Sequence, residues 1–111
     1  ETYVVDSNKC ISYATIELRA PELPVEVEEN LSGWFYGCDI CQDVCPWNRF
    51  ETSTAEIRFA PREGNVDAEL ADILELTPET DAARFRGSAM KRAKLAGLQR
   101  NARALESRKS C

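Results

Sequence analysis

Three cysteines and a proline fall within nine residues, Cys38-Asp39-Ile40-Cys41-Gln42-Asp43-Val44-Cys45-Pro46. Their C-x2-C and C-x3-C-P steps match the last three ligand positions of C-x2-C-x2-C-x3-C-P, the run whose thiolates hold 4Fe-4S clusters. The first position of that run falls on Phe35, which cannot ligate, and Cys10 is the only upstream thiol able to take its place. In such a run the cysteine before the proline ligates the other cluster of a two-cluster protein, which would put Cys45 with a second cluster. A structural zinc site made by Cys10, Cys38, Cys41 and Cys45 is the bland reading, since four thiolates satisfy a tetrahedral ion and C-x2-C is also zinc spacing. Zinc sites of that kind pair two short hooks, and Cys10 has no cysteine beside it, so the spacing favours iron and sulfur. Cys111, after Ser107-Arg108-Lys109-Ser110, reads as an incidental thiol.

Other chemistries are closed to this sequence. It contains no histidine, so His-based acid-base catalysis, nucleophile-His pairs and His-ligated metals are excluded within the chain. No P-loop, G-x-G-x-x-G, internal repeat or low-complexity segment is present. At 111 residues the chain is one modest domain or a piece of one, and a bound cluster would add materially to so limited a core. No basic region followed by an apolar run opens the chain, so its five cysteines point to a reducing cytoplasm rather than to secreted disulfides. No window reaches the roughly eighteen apolar residues of a membrane span, and a monomer is expected. The chain opens at Glu1 and runs straight into Tyr3-Val4-Val5, as if in the middle of a fold, which suggests a fragment.

Charge is divided unevenly. Glu1 to Ala83 holds 18 acidic and 5 basic side chains, a net of −13, whereas Arg84 to Cys111 holds 9 basic and 1 acidic, a net of +8. The acidic body is unsuited to general phosphate binding, but the basic tail could reach a nucleic-acid backbone.

The elements that must position these residues read as follows. Tyr3-Val4-Val5 is a short β-prone run ending at the turn-formers Asp6-Ser7-Asn8. A helix from Lys9 to about Arg19 carries Cys10 and places Ile11, Ala14 and Leu18 on one face, until Pro21 and Pro24 stop it. Glu22 to Asn30 is an acidic connection or short amphipathic turn. Trp34-Phe35-Tyr36 lies directly before the cysteines, either walling a cluster from water or forming ordinary core. Arg49 to Asn65 reads as a polar linker broken by Pro61 and Gly64. Helical spacing resumes from Asp67, a candidate cap, to Leu76, and Thr77-Pro78 opens another helix running to Phe85 or Arg86. After Gly87-Ser88 a last helix, about Ala89 to Leu105, sets Leu95, Leu98, Ala102 and Leu105 on one stripe, with Gly97 a weakening element.

Three stretches together resemble the epoxyqueuosine reductase family, cobalamin-dependent iron-sulfur enzymes that complete queuosine in tRNA. They are Asp6-Ser7-Asn8-Lys9-Cys10-Ile11-Ser12-Tyr13-Ala14-Thr15-Ile16-Glu17, Gly33-Trp34-Phe35-Tyr36-Gly37-Cys38 through Cys45-Pro46-Trp47-Asn48, and Phe85-Arg86-Gly87-Ser88 through Lys91-Arg92-Ala93-Lys94 to Arg100-Asn101-Ala102. The string from Gly37 to Asn48 is the most specific. The resemblance implies two 4Fe-4S clusters held by eight cysteines in a ferredoxin-like domain, with Cys10, Cys38 and Cys41 on one cluster and Cys45 on the other. It implies electron delivery through the clusters to cobalamin, and removal of the epoxide oxygen from a modified anticodon base. Neither the family's first cysteine run nor its cobalamin domain with the catalytic acid is in this sequence, and Ala14 stands where the family has a larger aliphatic residue. A grip on the anticodon backbone would fall to Arg84, Arg86, Lys91, Arg92, Lys94, Arg100 and Arg103, although a basic helix is often only a solvated face.

The expected fold is α+β: a partial ferredoxin-like double 4Fe-4S cluster domain at residues 1–50, a linker at 51–66, and a helical basic segment at 67–111. The expected function is the iron-sulfur portion of an epoxyqueuosine reductase, an oxidoreductase with an unidentified electron donor. The alternatives are a free-standing single-cluster electron carrier using all four cysteines, and a zinc-stapled interaction module.

Overall fold

A computed structural model describes residues 2–109; Cys111 and its expected lack of a role lie outside the described residues. The organising element is the last helix. Its residues are strong helix formers, and it spans Lys94–Lys109 (α6). It is shorter at the front than expected, because Ala89–Ala93 forms a 3-10 segment capped by Ser88, whose Oγ accepts the Met90 N–H at 3.2 Å. The chain then turns through Lys94 at φ 63°.

Five shorter α-helices precede it among the described residues: Ile11–Ile16 (α1), Val25–Glu29 (α2), Ile40–Asp43 (α3), Leu70–Leu74 (α4) and Pro78–Arg84 (α5). Two apolar clusters form the core. One joins Ala14, Leu23, Val27 and Leu31 to Ala104 of α6; the other joins Ile73, Phe85 and Ala93 to Leu98 and Ala102 of α6. α6 thus enters both, and Leu98 and Ala102 on its expected stripe are fully buried. Basic residues 84–109 are therefore fastened in space to the cysteine-bearing N-terminal part.

The expectations for α5 and α4 met different outcomes. Thr77 caps α5, accepting the Thr80 N–H at 3.3 Å, and Pro78 occupies the first turn, as its fixed φ favours. Asp67 does not cap α4: it lies at φ 57°, and the helix starts three residues later, where the Glu69 N–H donates to Asp72 Oδ2 at 3.3 Å. Nε2 of Gln99 in α6 then donates to the Leu74 and Leu76 carbonyls at 3.1 and 3.0 Å, tying down the end of α4.

The β part of the α+β expectation is not met among the described residues, which are helical or irregular. Tyr3, Val4 and Val5 are 102%, 64% and 83% exposed, with Tyr3 at φ 65°. β-propensity expresses packing on a pleated, half-buried surface, and these three residues have no neighbouring strand on which to act. Ala14, which stands where the family has a larger aliphatic residue, is fully buried.

Candidate metal centre

Cys10 does not lie inside a helix. Asp6 Oδ1 takes the Asn8 N–H at 3.0 Å and closes a 3-10 turn at Ser7–Lys9, leaving Cys10 extended as the first flanking residue of α1. Five residues on, Thr15 is fully buried; its Oγ1 donates to the Ile11 carbonyl at 2.8 Å and accepts the Gly37 N–H at 2.9 Å. Gly37, at φ 73°, makes the turn that a side chain would strain, and delivers the chain to Cys38.

Beyond it the cysteines are set by local bonds. The Gln42 and Asp43 N–H groups return to the Asp39 carbonyl at 2.9 and 2.8 Å, forming the single turn of α3 that carries Cys41. Cys45 precedes the 3-10 segment Pro46–Phe50, and Asn48 Nδ2 ties that segment back to the Gln42 carbonyl at 2.7 Å. Cys10, Cys38, Cys41 and Cys45 are all free thiols; Cys41 is exposed and the other three half-buried.

The helix starts beside these thiols share a feature. Asp6, Glu56, Thr77 and Ser88 each close their segments with a side-chain hydrogen bond, whereas the starts at Cys10, Asp39 and Cys45 have none. Pro24, at the start of α2, has no side chain able to make one. First-turn N–H groups without a cap need an acceptor, and cluster-bound sulfurs are acceptors whose hydrogen bonds tune a cluster. Four thiols beside uncapped amides therefore fit a 4Fe-4S group. Among the described residues no three Cys, Asp or Glu side chains are gathered as a single metal ion requires.

The residue pair that sequence reasoning missed as structural is Arg100-Asn101. Asn101 is fully buried, and its Nδ2 donates to the Thr15 carbonyl at 2.9 Å and the Phe35 carbonyl at 3.1 Å. Arg100 donates to the carbonyls of Leu18 at 2.9 Å, Ala20 at 2.8 Å and Ala14 at 2.7 Å, and to Asn101 Oδ1. Burial pulls its pKa downward, with the nearby Arg19 charge acting the same way. Arg100 is thus corrected from a candidate phosphate contact to an internal one: it is 6% exposed and its donors are spent on backbone. The available signal was Asn101 lying between Leu98 and Leu105 on the apolar stripe, a polar residue that burial tolerates only with partners.

The other basic candidates separate by their engagements. Arg84 donates to the Gly64 carbonyl at 2.6 Å and lies 5.5 Å from the Phe85 ring centroid. Arg92 pairs with Glu17 at 2.8 Å, and this hydrogen bond holds the Glu17 carboxyl below its ordinary range and pushes the Arg92 guanidinium up. Arg86, Lys91, Lys94 and Arg103 have exposed side chains. Of the three rings, Phe35 and Tyr36 pack on the second core cluster, and the Tyr36 hydroxyl donates to the Ala89 carbonyl at 2.7 Å; burial raises its pKa. A cavity of about 690 Å³ lined by Phe35, Leu70, Ile73, Phe85, Met90 and Leu105 among others includes no cysteine.

Residues 1–48, which contain all four of these cysteines, match the family described as a 4Fe-4S double cluster binding domain. The epoxyqueuosine reductase of Synechocystis sp. is 52% identical over 105 residues, 94% of this chain and 36% of that protein. Those of Atelocyanobacterium thalassa and Pseudomonas aeruginosa are 46% and 41% identical, over 92% and 82% of this chain and 34% and 25% of their own lengths. No solved structure matches the chain. No helix among the described residues is long and apolar enough to cross a membrane. By its cysteine-bearing segment and by similarity along more than nine-tenths of its length, the chain is a homologue of the epoxyqueuosine reductases, spanning about a third of the relatives it matches.

Proposed function

We propose that this chain is the iron-sulfur portion of an epoxyqueuosine reductase, with Cys10, Cys38 and Cys41 as ligands of one 4Fe-4S cluster and Cys45 as a ligand of a second. The observation that carries this reading is the set of four free thiols beside three uncapped helix starts, inside the segment that matches a double-cluster domain. When bound, such clusters supply one-electron relay. The chain's own residues hold thiolates in place, offer backbone N–H groups to sulfur, and present a positive surface.

In the whole protein the electrons pass to cobalamin held outside this sequence, for reduction of epoxyqueuosine to queuosine in tRNA. The chain divides functionally into a ferredoxin-like cluster part at 1–50, a linker at 51–66 and a helical basic part at 67–111. Arg86, Lys91, Lys94 and Arg103 face the anticodon backbone, with Arg92 shared between phosphate and Glu17, and Arg84 contributing from its anchored position. The protein works as a monomer in the cytoplasm. Turnover of epoxyqueuosine-containing tRNA by this chain alone with a chemical reductant is not expected, because Cys45 is the single ligand that this reading assigns to the second cluster.

Anaerobic reconstitution with iron and sulfide, read by visible absorption and by iron, sulfide and zinc content, tests the reading. Iron and sulfide bound in proportion to Cys38 and Cys41 is expected. Zinc alone in the purified protein overturns it in favour of a stapled interaction module. One cluster that needs all four cysteines, Cys45 included, replaces it with a single-cluster carrier.

A further inference from the structure

The relative placement of Cys38 and Cys41 is settled within one turn of backbone, but Cys10 lies 28 positions upstream of Cys38, on another element. Only tertiary bonds can hold it in register with them. We infer that Thr15 and Asn101 are positioning residues that set the distance from Cys10 to the Cys38-Cys41 loop, an inference that rests on those three thiolates sharing one cluster.

The bonds that do this are few and specific. Thr15 lies in the helix that Cys10 begins, and its Oγ1 accepts the N–H of Gly37, the residue immediately before Cys38, at 2.9 Å. Asn101 reaches both sides of the same junction, donating through one amide nitrogen to the Thr15 carbonyl at 2.9 Å and to the Phe35 carbonyl at 3.1 Å. Arg100 fixes which way that amide faces, since its Nε and Nη2 donate to Asn101 Oδ1 at 3.1 and 3.0 Å. With the oxygen held by the guanidinium, the nitrogen is left for α1 and the loop.

A helix needs no such device merely to dock. Leu98 and Ala102 already seat α6 on the core, and a fully buried amide on that stripe costs stability unless every bond is made. What the polar set adds is direction: apolar side chains can slide by a fraction of a turn, whereas these bonds admit one alignment of α1 against residues 35–37. The basic helix is therefore two-sided, with one face aligning the ligands and the other carrying exposed cations.

The test uses the metal-free, reduced chain and a short bifunctional thiol reagent, with peptide mapping of two products in the same sample. One product bridges Cys10 to Cys38 or Cys41 and reports register; the other bridges Cys38 to Cys41 and is an internal reference. Thr15→Val keeps the shape and removes the acceptor, and should lower the ratio of the two products about fivefold, the population change that loss of one ordinary hydrogen bond brings. Thr15→Ser should restore it, and Leu98→Ala, which loosens the core cluster on which Phe35 packs but removes none of the junction's hydrogen bonds, should lower it less than Thr15→Val does below its melting temperature. If Thr15→Val does not fold, Asn101→Ser reports on the same junction and should lower the ratio likewise. An unchanged ratio in the variants of the junction that fold, or an equal fall in Leu98→Ala, overturns the inference. Failure of the unaltered chain to take up iron and sulfide would instead remove the cluster reading, leaving the register result to stand or fall by itself.

Discussion

Between α1 and α6 the buried polar side chains find partners on other elements: Asn101 reaches Thr15 and Phe35, and Arg100 reaches Ala14, Leu18 and Ala20. From Cys38 to Ala60 the hydrogen bonds among the described residues run no further than six positions along the chain, as from Asn48 to Gln42. In the same stretch Val44, Trp47, Phe50, Ile57 and Phe59 are between 61% and 84% exposed. The first region is a core with an address for each polar atom. The second, which carries three of the four thiols, has local turns but no core of its own. A segment without prior packing gains order from any group that it binds, because binding free energy there becomes folding free energy.

The comparison can be broken most sharply at the thiols. Cys38→Ala and Cys41→Ala should nearly abolish iron uptake on reconstitution while leaving the metal-free chain's circular dichroism and melting curve unaltered. A metal-free chain that unfolds on losing either thiol would mean that the loop belongs to the core after all.

A denaturant series on two large apolar residues measures the contrast in packing. Leu98→Ala should cost about 2–5 kcal/mol, the range for emptying a fully buried leucine site, whereas Trp47→Ala, at a side chain 71% exposed, should stay within about 0.5 kcal/mol in the metal-free chain. Comparable losses at the two sites would erase the distinction.

A smaller effect concerns the outer face of the helical part. In a longer protein carrying this segment, changing Lys91, Arg92 and Lys94 together to Gln should weaken tRNA binding and make the slope of log affinity against log salt shallower by about 0.7–0.9 for each phosphate that the variant no longer neutralises. Arg92 should contribute least, since Glu17 already engages it. Cluster content should not change. An unaltered slope in a folded variant would leave this face as solvated surface.

The smallest effect joins the two parts at Glu17. Its carboxyl is held below the ordinary value of 4.5, chiefly by the Arg92 hydrogen bond, so the pair's contribution is full above that value and is lost as pH falls through the lower folded pKa. Melting temperature should thus decline slightly on acidification in that window, and Glu17→Gln should remove that part of the decline. An identical acid profile in the two proteins would show that the exposed pair contributes nothing.

The local turns of the cysteine loop were largely legible in the residues because their logic is short-range. A C-x2-C step, a C-x3-C-P step and a Gly before Cys38 specify neighbours a few residues apart, and short-range turns carry that information into space. Thr77-Pro78 was legible for the same reason, since a cap and a fixed φ act within one turn. Asp67 misled because another carboxylate, Asp72, closed the start of α4 from inside the helix. Tyr3-Val4-Val5 misled because a strand is defined by its partner, and propensity alone supplies none. Arg100 was misread because charge tells which side chain is basic but not which way the helix face turns. Only the docking of α6 between two apolar clusters decided that Lys91, Lys94 and Arg103 stand in solvent while Arg100 and Asn101 turn inward to hold α1 against the cysteine loop. The sequence names the thiols and their spacing because those are properties of adjacent bonds; the docking of α1, which Cys10 precedes, against the segment that leads to Cys38 depends on residues 86 positions apart meeting through Asn101 and Thr15, which only the packed chain decides.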